Sequence, residues 1–279
     1  MAQWQRFVAI GDSFTEGLED PGVDGRHRGW ADRVAERLSV GTPGFEYANL
    51  AIRGRLLAPI LADQLPAAVA MQPDLITIAG GVNDVLRPKW DLPGMTQAWD
   101  QGLALARSGG AHVLVVTFGQ PSRRSRALGS VQDRLADYRE VLLDLARIHG
   151  CEVVDFWYAS VFDDPRFWAD DRLHLSSLGH QRVADAVLES LGYPTADWLA
   201  PLPDPYDTSA LTRLRSDAAW MGGHLAPWIG RRLIGRSSGD GITAKRPNPA
   251  PIRPANTPLG GSAASVAGDG MAPREGNKN

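Results

Sequence analysis

A five-stranded parallel sheet held between two layers of helices is predicted by three features of this 279-residue chain. Short apolar runs recur along the first 200 residues. Longer stretches with apolar residues at helical spacing separate them. Glycine or proline closes most of those stretches. Strands dense in Val, Ile and Leu read as buried on both faces, and strand–helix alternation then calls for a parallel sheet covered on each side.

The first run, residues 7–10, ends at Gly11-Asp12-Ser13. Ala31, Val34, Ala35 and Leu38 share one helical face over 30–38. A second strand is read over 45–50, followed by a helix over 56–71 that Pro73 stops. Strand 75–79 runs into Gly80-Gly81-Val82-Asn83-Asp84, and helix 97–108 ends at Gly109-Gly110. Strand 113–118, helix 131–149 ending at Gly150, strand 152–156 and helix 176–191 complete the series. Five strands joined by right-handed crossovers suit a flavodoxin-like three-layer α/β/α sandwich over residues 1–200.

After Pro201 the chain changes character. Pro201-Leu-Pro203-Asp-Pro205 reads as a stiff connector, and helical patterns follow over 208–221 and 224–234. Residues 201–236 are therefore expected to form a helical extension docked on the first domain. Gly, Pro, Ser and Ala dominate 237–279, where a disordered tail is expected. The net charge of -3 excludes a strong pull toward nucleic acid, although the first 200 residues carry -7 and the remainder +4. A single cysteine, Cys151, excludes an intramolecular disulfide. No apolar run approaches the roughly 20 residues of a bilayer span, and no basic segment precedes a long apolar one at the N-terminus. A cytoplasmic chain without a membrane span or nucleic-acid partner is expected.

Four islands carry chemistry. Ser13 stands where a strand tip passes into a helix, a place for either an exposed nucleophile or a helix cap. His174 suits a general base, because an imidazole ordinarily titrates near pH 6.5. Asp171, three residues earlier, can hold the other ring nitrogen, with Asp170 as its competitor. Gly54 can lend a backbone N–H to a developing oxyanion and lets a substrate approach without a Cβ clash. Asn83 can add its side-chain amide, and the Ser13 N–H makes a third donor. Gly54 and Asn83 also read as a turn glycine and an Asx-turn. His180, His149 and His27 read as solvated side chains. Arg53 and Arg55 suit an anionic or hydroxylated substrate group or an ordinary salt bridge, and Trp30, Trp90 and Trp168 suit a pocket or the core.

In their order along residues 7–179, these islands resemble the SGNH branch of the GDSL esterase/lipase family. Phe14 stands where that family usually has leucine. The resemblance implies the flavodoxin-like SGNH hydrolase fold, neither metal nor other cofactor, and cleavage of a small-molecule ester through an acyl-enzyme. It implies Ser13 as nucleophile, Asp171 and His174 as its base pair, and Ser13, Gly54 and Asn83 as the oxyanion hole. Short acyl or acetyl esters of a sugar or small metabolite are the expected substrates. An acyltransferase would use the same residues, and a non-catalytic binding protein is the remaining alternative.

Overall fold

The computed structural model describes residues 3–22, 25–120, 129, 131–203 and 238–252. Strand β1 (Arg6–Ile10) leads into the one-turn helix α1 (Ser13–Glu16), followed by α2 (Gly29–Ser39) and β2 (Glu46–Asn49). Helix α3 (Leu57–Pro59) continues through a π-helical stretch (Ile60–Gln64) into α4 (Leu65–Ala70) and then β3 (Leu75–Ile78). Next come α5 (Val82–Val85), α6 (Leu92–Ser108), β4 (His112–Val116), α7 (Gln132–Ile148), β5 (Glu152–Val154) and α8 (Ser177–Ser190). A last strand, β6 (Arg246–Pro251), lies far along the chain.

The sheet order is β5-β4-β3-β1-β2-β6, with the first five strands parallel. Strand alternation divides the core in two. Phe7 and Ala9 of β1 face the layer containing Trp30, Val34, Val183 and Val187 of α2 and α8. Val8 and Ile10 face the layer containing Leu57, Leu65, Trp99, Leu103 and Leu142 of α3, α4, α6 and α7. A period of two thus puts successive side chains on opposite, equally dry faces.

The chain moves from β1 to β2 on one side, then returns to place β3 on the other. That reversal opens a crevice at the carboxyl ends of β1 and β3, where open parallel sheets receive ligands. Ser13 and Asn83 stand on its two sides.

Two expectations need correction. The sheet has six strands rather than five. The sixth comes from the stretch 237–279 read as a disordered tail: β6 pairs antiparallel with β2, Tyr47 opposite Ala250 and Glu46 opposite Pro251. Its sequence, Arg-Pro-Asn-Pro-Ala-Pro, lacks the β-branched residues that mark a strand. Prolines two residues apart withhold donors along one edge only, which an outermost strand tolerates. Lys245 anchors the segment, donating from Nζ to His27 O at 2.9 Å and Arg28 O at 2.8 Å and pairing with Asp32. The extension read over 201–236 lies, from residue 204 onward, outside the described residues.

Candidate active site

The nucleophile candidate sits on a rigid seat. Gln64, in the π-helical stretch, clamps the peptide groups of Gly11: Gly11 N–H donates to its Oε1 at 2.8 Å, and its Nε2 donates to Gly11 O at 3.0 Å. A side chain at Gly11 would come within 2.5 Å of Ala79 O, so only glycine lets β1 and β3 close here. Asp12, not Ser13, caps α1, its carboxylate accepting the Phe14 N–H at 3.1 Å. Ser13 is the first helical residue, and its hydroxyl is left to meet the histidine.

His174 arrives from the loop before α8. Its Nε2 lies 3.0 Å from Ser13 Oγ, and its Nδ1 lies 2.5 Å from Asp171 Oδ2. The other Asp171 oxygen accepts the backbone N–H groups of Leu173 and His174, both at 3.0 Å. Arg172 adopts the left-handed conformation (φ 52°) that closes this tight Asx-turn. Burial alone would raise the Asp171 carboxyl, but its hydrogen bond to His174, that ring's charge and the two backbone N–H groups bring it down to about 2. Asp170 is exposed, whereas Asp171 meets the ring. Ser176 fixes the far end of the loop, donating to Arg166 O at 2.7 Å and capping α8.

Asn83 is held where β3 enters α5. Both of its amide protons have protein acceptors, Asp12 Oδ2 at 2.9 Å and Arg55 O at 3.0 Å. Gly54 lies in the turn after β2 at φ 72°, one residue before that Arg55 carbonyl. Asp84 ties the start of α3, three residues after Gly54, to α5 by accepting Leu57 N–H at 2.9 Å. Arg53 forms a salt bridge with Glu16 of α1, which resolves the open role of that arginine.

A cavity of about 200 Å³ opens beside Ser13. Ser13, Asn83 and His174 are on its wall, Asp171 is behind His174, and Gly54 is not among the lining residues. Apolar side chains dominate the remainder, notably Leu86, Phe118, Leu135, Phe156, Trp157 and Trp168. Of the three tryptophans singled out in the sequence, Trp168 lines the cavity. Trp30 is core, with its ring 5.7 Å from that of Phe14.

Several supporting residues were missed in the sequence. Tyr138 accepts from Trp99 Nε1 at 2.7 Å and donates to Gly80 O at 2.9 Å, bracing the loop that carries Asn83. Gly81 is tied to that contact: a Cβ there would fall 2.0 Å from the Tyr138 hydroxyl. Arg139 grips Asp155, which accepts from Thr117 on the cavity wall at 2.6 Å. His180, read as solvated, is 1% exposed with Nε2 on Leu18 O at 3.2 Å, and burial lowers it to about 4. None of these has a local sequence signature; each partner lies more than 35 residues away, apart from Asp155, which is 16 from Arg139.

The family model described as the GDSL-like lipase/acylhydrolase family matches residues 9–182. A search of curated proteins finds no match. Among solved structures, the chain is similar to LAE5, an alpha/beta hydrolase enzyme from the metagenome of Lake Arreo, Spain. The TM-score is 0.58 at 23% identity, covering 70% of this chain and 99% of that one. It is also similar to a variant of Axe2, an acetyl xylan esterase from Geobacillus stearothermophilus, with TM-score 0.53, 23% identity, and 69% and 96% coverage. For TesA the TM-score is 0.54 at 26% identity, with 67% and 98% coverage. No helix among the described residues is long and apolar enough to cross a membrane.

Proposed function

Since the chain belongs to the GDSL-like lipase/acylhydrolase family and is an ester hydrolase of that type, we propose that it works through an acyl-enzyme on Ser13. The observation that carries this reading is the 3.0 Å approach of His174 Nε2 to Ser13 Oγ, with Asp171 on the opposite ring nitrogen. As Ser13 Oγ attacks the ester carbonyl, its proton passes to His174 Nε2. The imidazolium formed is stabilised by Asp171 and returns the proton to the departing alkoxide. Water then attacks the acyl-serine by the same route in reverse, releasing the carboxylic acid and regenerating Ser13.

The carbonyl oxygen becomes an oxyanion in both steps and needs donors placed in advance. The N–H groups of Ser13 and Gly54 and the Asn83 amide are assigned this task. Both Asn83 protons already have protein acceptors, so Asn83 exchanges one of them for the oxyanion. That exchange makes the bond specific to the charged intermediate.

The acyl group is assigned to the cavity. On a scale where one water needs about 10–15 Å³, about 200 Å³ is far more than an acetyl group fills. Two similar structures are those of acetyl xylan esterases. The apolar wall beside Ser13 supports a longer acyl chain than theirs. Each methylene buried contributes about 0.8 kcal/mol, or roughly fourfold in kcat/KM. The test is a series of p-nitrophenyl esters from two to twelve carbons, with fluorophosphonate labelling of wild type and Ser13→Ala. Labelling and turnover should vanish in the variant, and kcat/KM should climb beyond acetate before falling. Activity in Ser13→Ala refutes the acyl-enzyme, and a maximum at acetate refutes the cavity assignment.

A further inference from the structure

We propose that Glu16 and Gly239 are positioning residues that together set the direction of the Gly54 N–H; the proposal rests on reading Gly54 as an oxyanion donor. The N–H of Gly54 and the C=O of Arg53 belong to one planar trans peptide, so they point in opposite directions. Whatever fixes the Arg53 carbonyl therefore fixes the donor.

Two groups hold Arg53 at its two ends: Glu16 at its N–H, in the preceding peptide, and Gly239 at its C=O. Glu16 closes α1, three residues after Ser13, and is 5% exposed. Its Oε2 accepts the Arg53 backbone N–H at 2.6 Å, and its two oxygens accept Arg53 Nε at 2.9 and 3.1 Å. Backbone and side chain of Arg53 are thus bound to the helix that carries Ser13. From outside, Gly239 packs on Arg53 O so closely that a Cβ would lie 2.1 Å from that oxygen and 2.9 Å from Ile52 Cγ2. A real Cβ does not sit there, so a side chain at 239 turns the Arg53 carbonyl and carries the Gly54 N–H with it. The segment holding Gly239 is itself held by Lys245 and by β6 on β2. Gly239 thereby acts on the oxyanion donor, although it lies outside residues 9–182.

The experiment compares Gly239→Ala with Gly241→Ala. Gly241 lies in the same turn at φ 76°, with open space around its would-be Cβ, so its replacement strains the turn without touching Arg53. Wild type and Ser13→Ala are measured first on a p-nitrophenyl ester, which tests the catalytic reading separately. Gly239→Ala is expected to lower kcat about tenfold to a hundredfold, with KM within about twofold. It should weaken an alkylboronic acid, which forms a tetrahedral adduct, by a similar factor. Gly241→Ala should retain wild-type kcat. Glu16→Gln, which keeps the shape but loses the charge, should repeat the kcat-selective loss. Folded Gly239→Ala with wild-type kcat and boronate affinity overturns the proposal. So does an equal kcat loss in Gly241→Ala.

Discussion

Replacing Asp171 by asparagine changes one atom, and the structure dictates which way the new side chain faces. Asp171 Oδ1 accepts two backbone N–H groups at 3.0 Å, so an asparagine must keep its oxygen there. Its NH₂ then falls where Oδ2 now lies, 2.5 Å from His174 Nδ1, and donates to that nitrogen. The ring proton moves to Nε2, which then faces Ser13 Oγ as a donor and cannot take the serine proton. In a serine protease triad the matching change costs about 10⁴ in kcat, and a loss of several powers of ten is expected here. Stability should fall as well. A carboxyl that ionises at about 2 rather than near 3.8 stabilises the folded state by about 2 kcal/mol at neutral pH. Because its folded value is depressed, this stabilisation is complete above the ordinary carboxylate range and drains away as pH falls toward 2. The assays are p-nitrophenyl butyrate turnover at pH 7 and urea unfolding of both proteins at pH 7 and pH 3. A kcat loss below tenfold refutes the tautomer argument, and a stability gap that does not shrink at pH 3 refutes the electrostatic one.

Three further outcomes are expected. Asn83→Ala should lower kcat about a hundred- to a thousand-fold, the usual effect of removing one oxyanion donor; steady-state kinetics on variant protein that circular dichroism shows to be folded checks this. Tyr138→Phe should cost about 1–3 kcal/mol in urea unfolding, because Gly80 O and Trp99 Nε1 each lose their bond to its hydroxyl. Lys245→Met should cost up to about 3–5 kcal/mol near pH 8 by leaving the buried Asp32 carboxylate with only Arg246, whose Nε lies 3.6 Å away, as its charged partner. Burial already raises Asp32 to about 6 despite Lys245 and Arg246, so the carboxyl takes up a proton as pH falls through that value. The Lys245→Met defect should therefore be smaller at pH 5 than at pH 8, as measured by unfolding at both.

Much of this molecule was legible without coordinates because its elements have local causes. Apolar runs such as Phe-Val-Ala-Ile and Leu-Ile-Thr-Ile bury both faces wherever the sheet lies, so they announce parallel strands by composition alone. Gly11-Asp12-Ser13 and Asp171–His174 are short-range constructions, a capped turn and an Asx-turn, whose residues carry their own geometry. The strand order, the clamp of Gln64 on Gly11, the brace of Tyr138 on Gly80 and the Glu16–Arg53 pair had no such announcement. Each joins residues 37 to 58 positions apart, and no window of sequence contains both partners. Residues 238–252 make the point most sharply. Their proline-rich composition offers no apolar face, so by themselves they read as tail. They become strand and buttress only because β2 presents an open edge and Asp32 a buried charge that Lys245 can meet. Local pattern determines what a segment can be, whereas the free energy of pairing distant surfaces decides what it becomes.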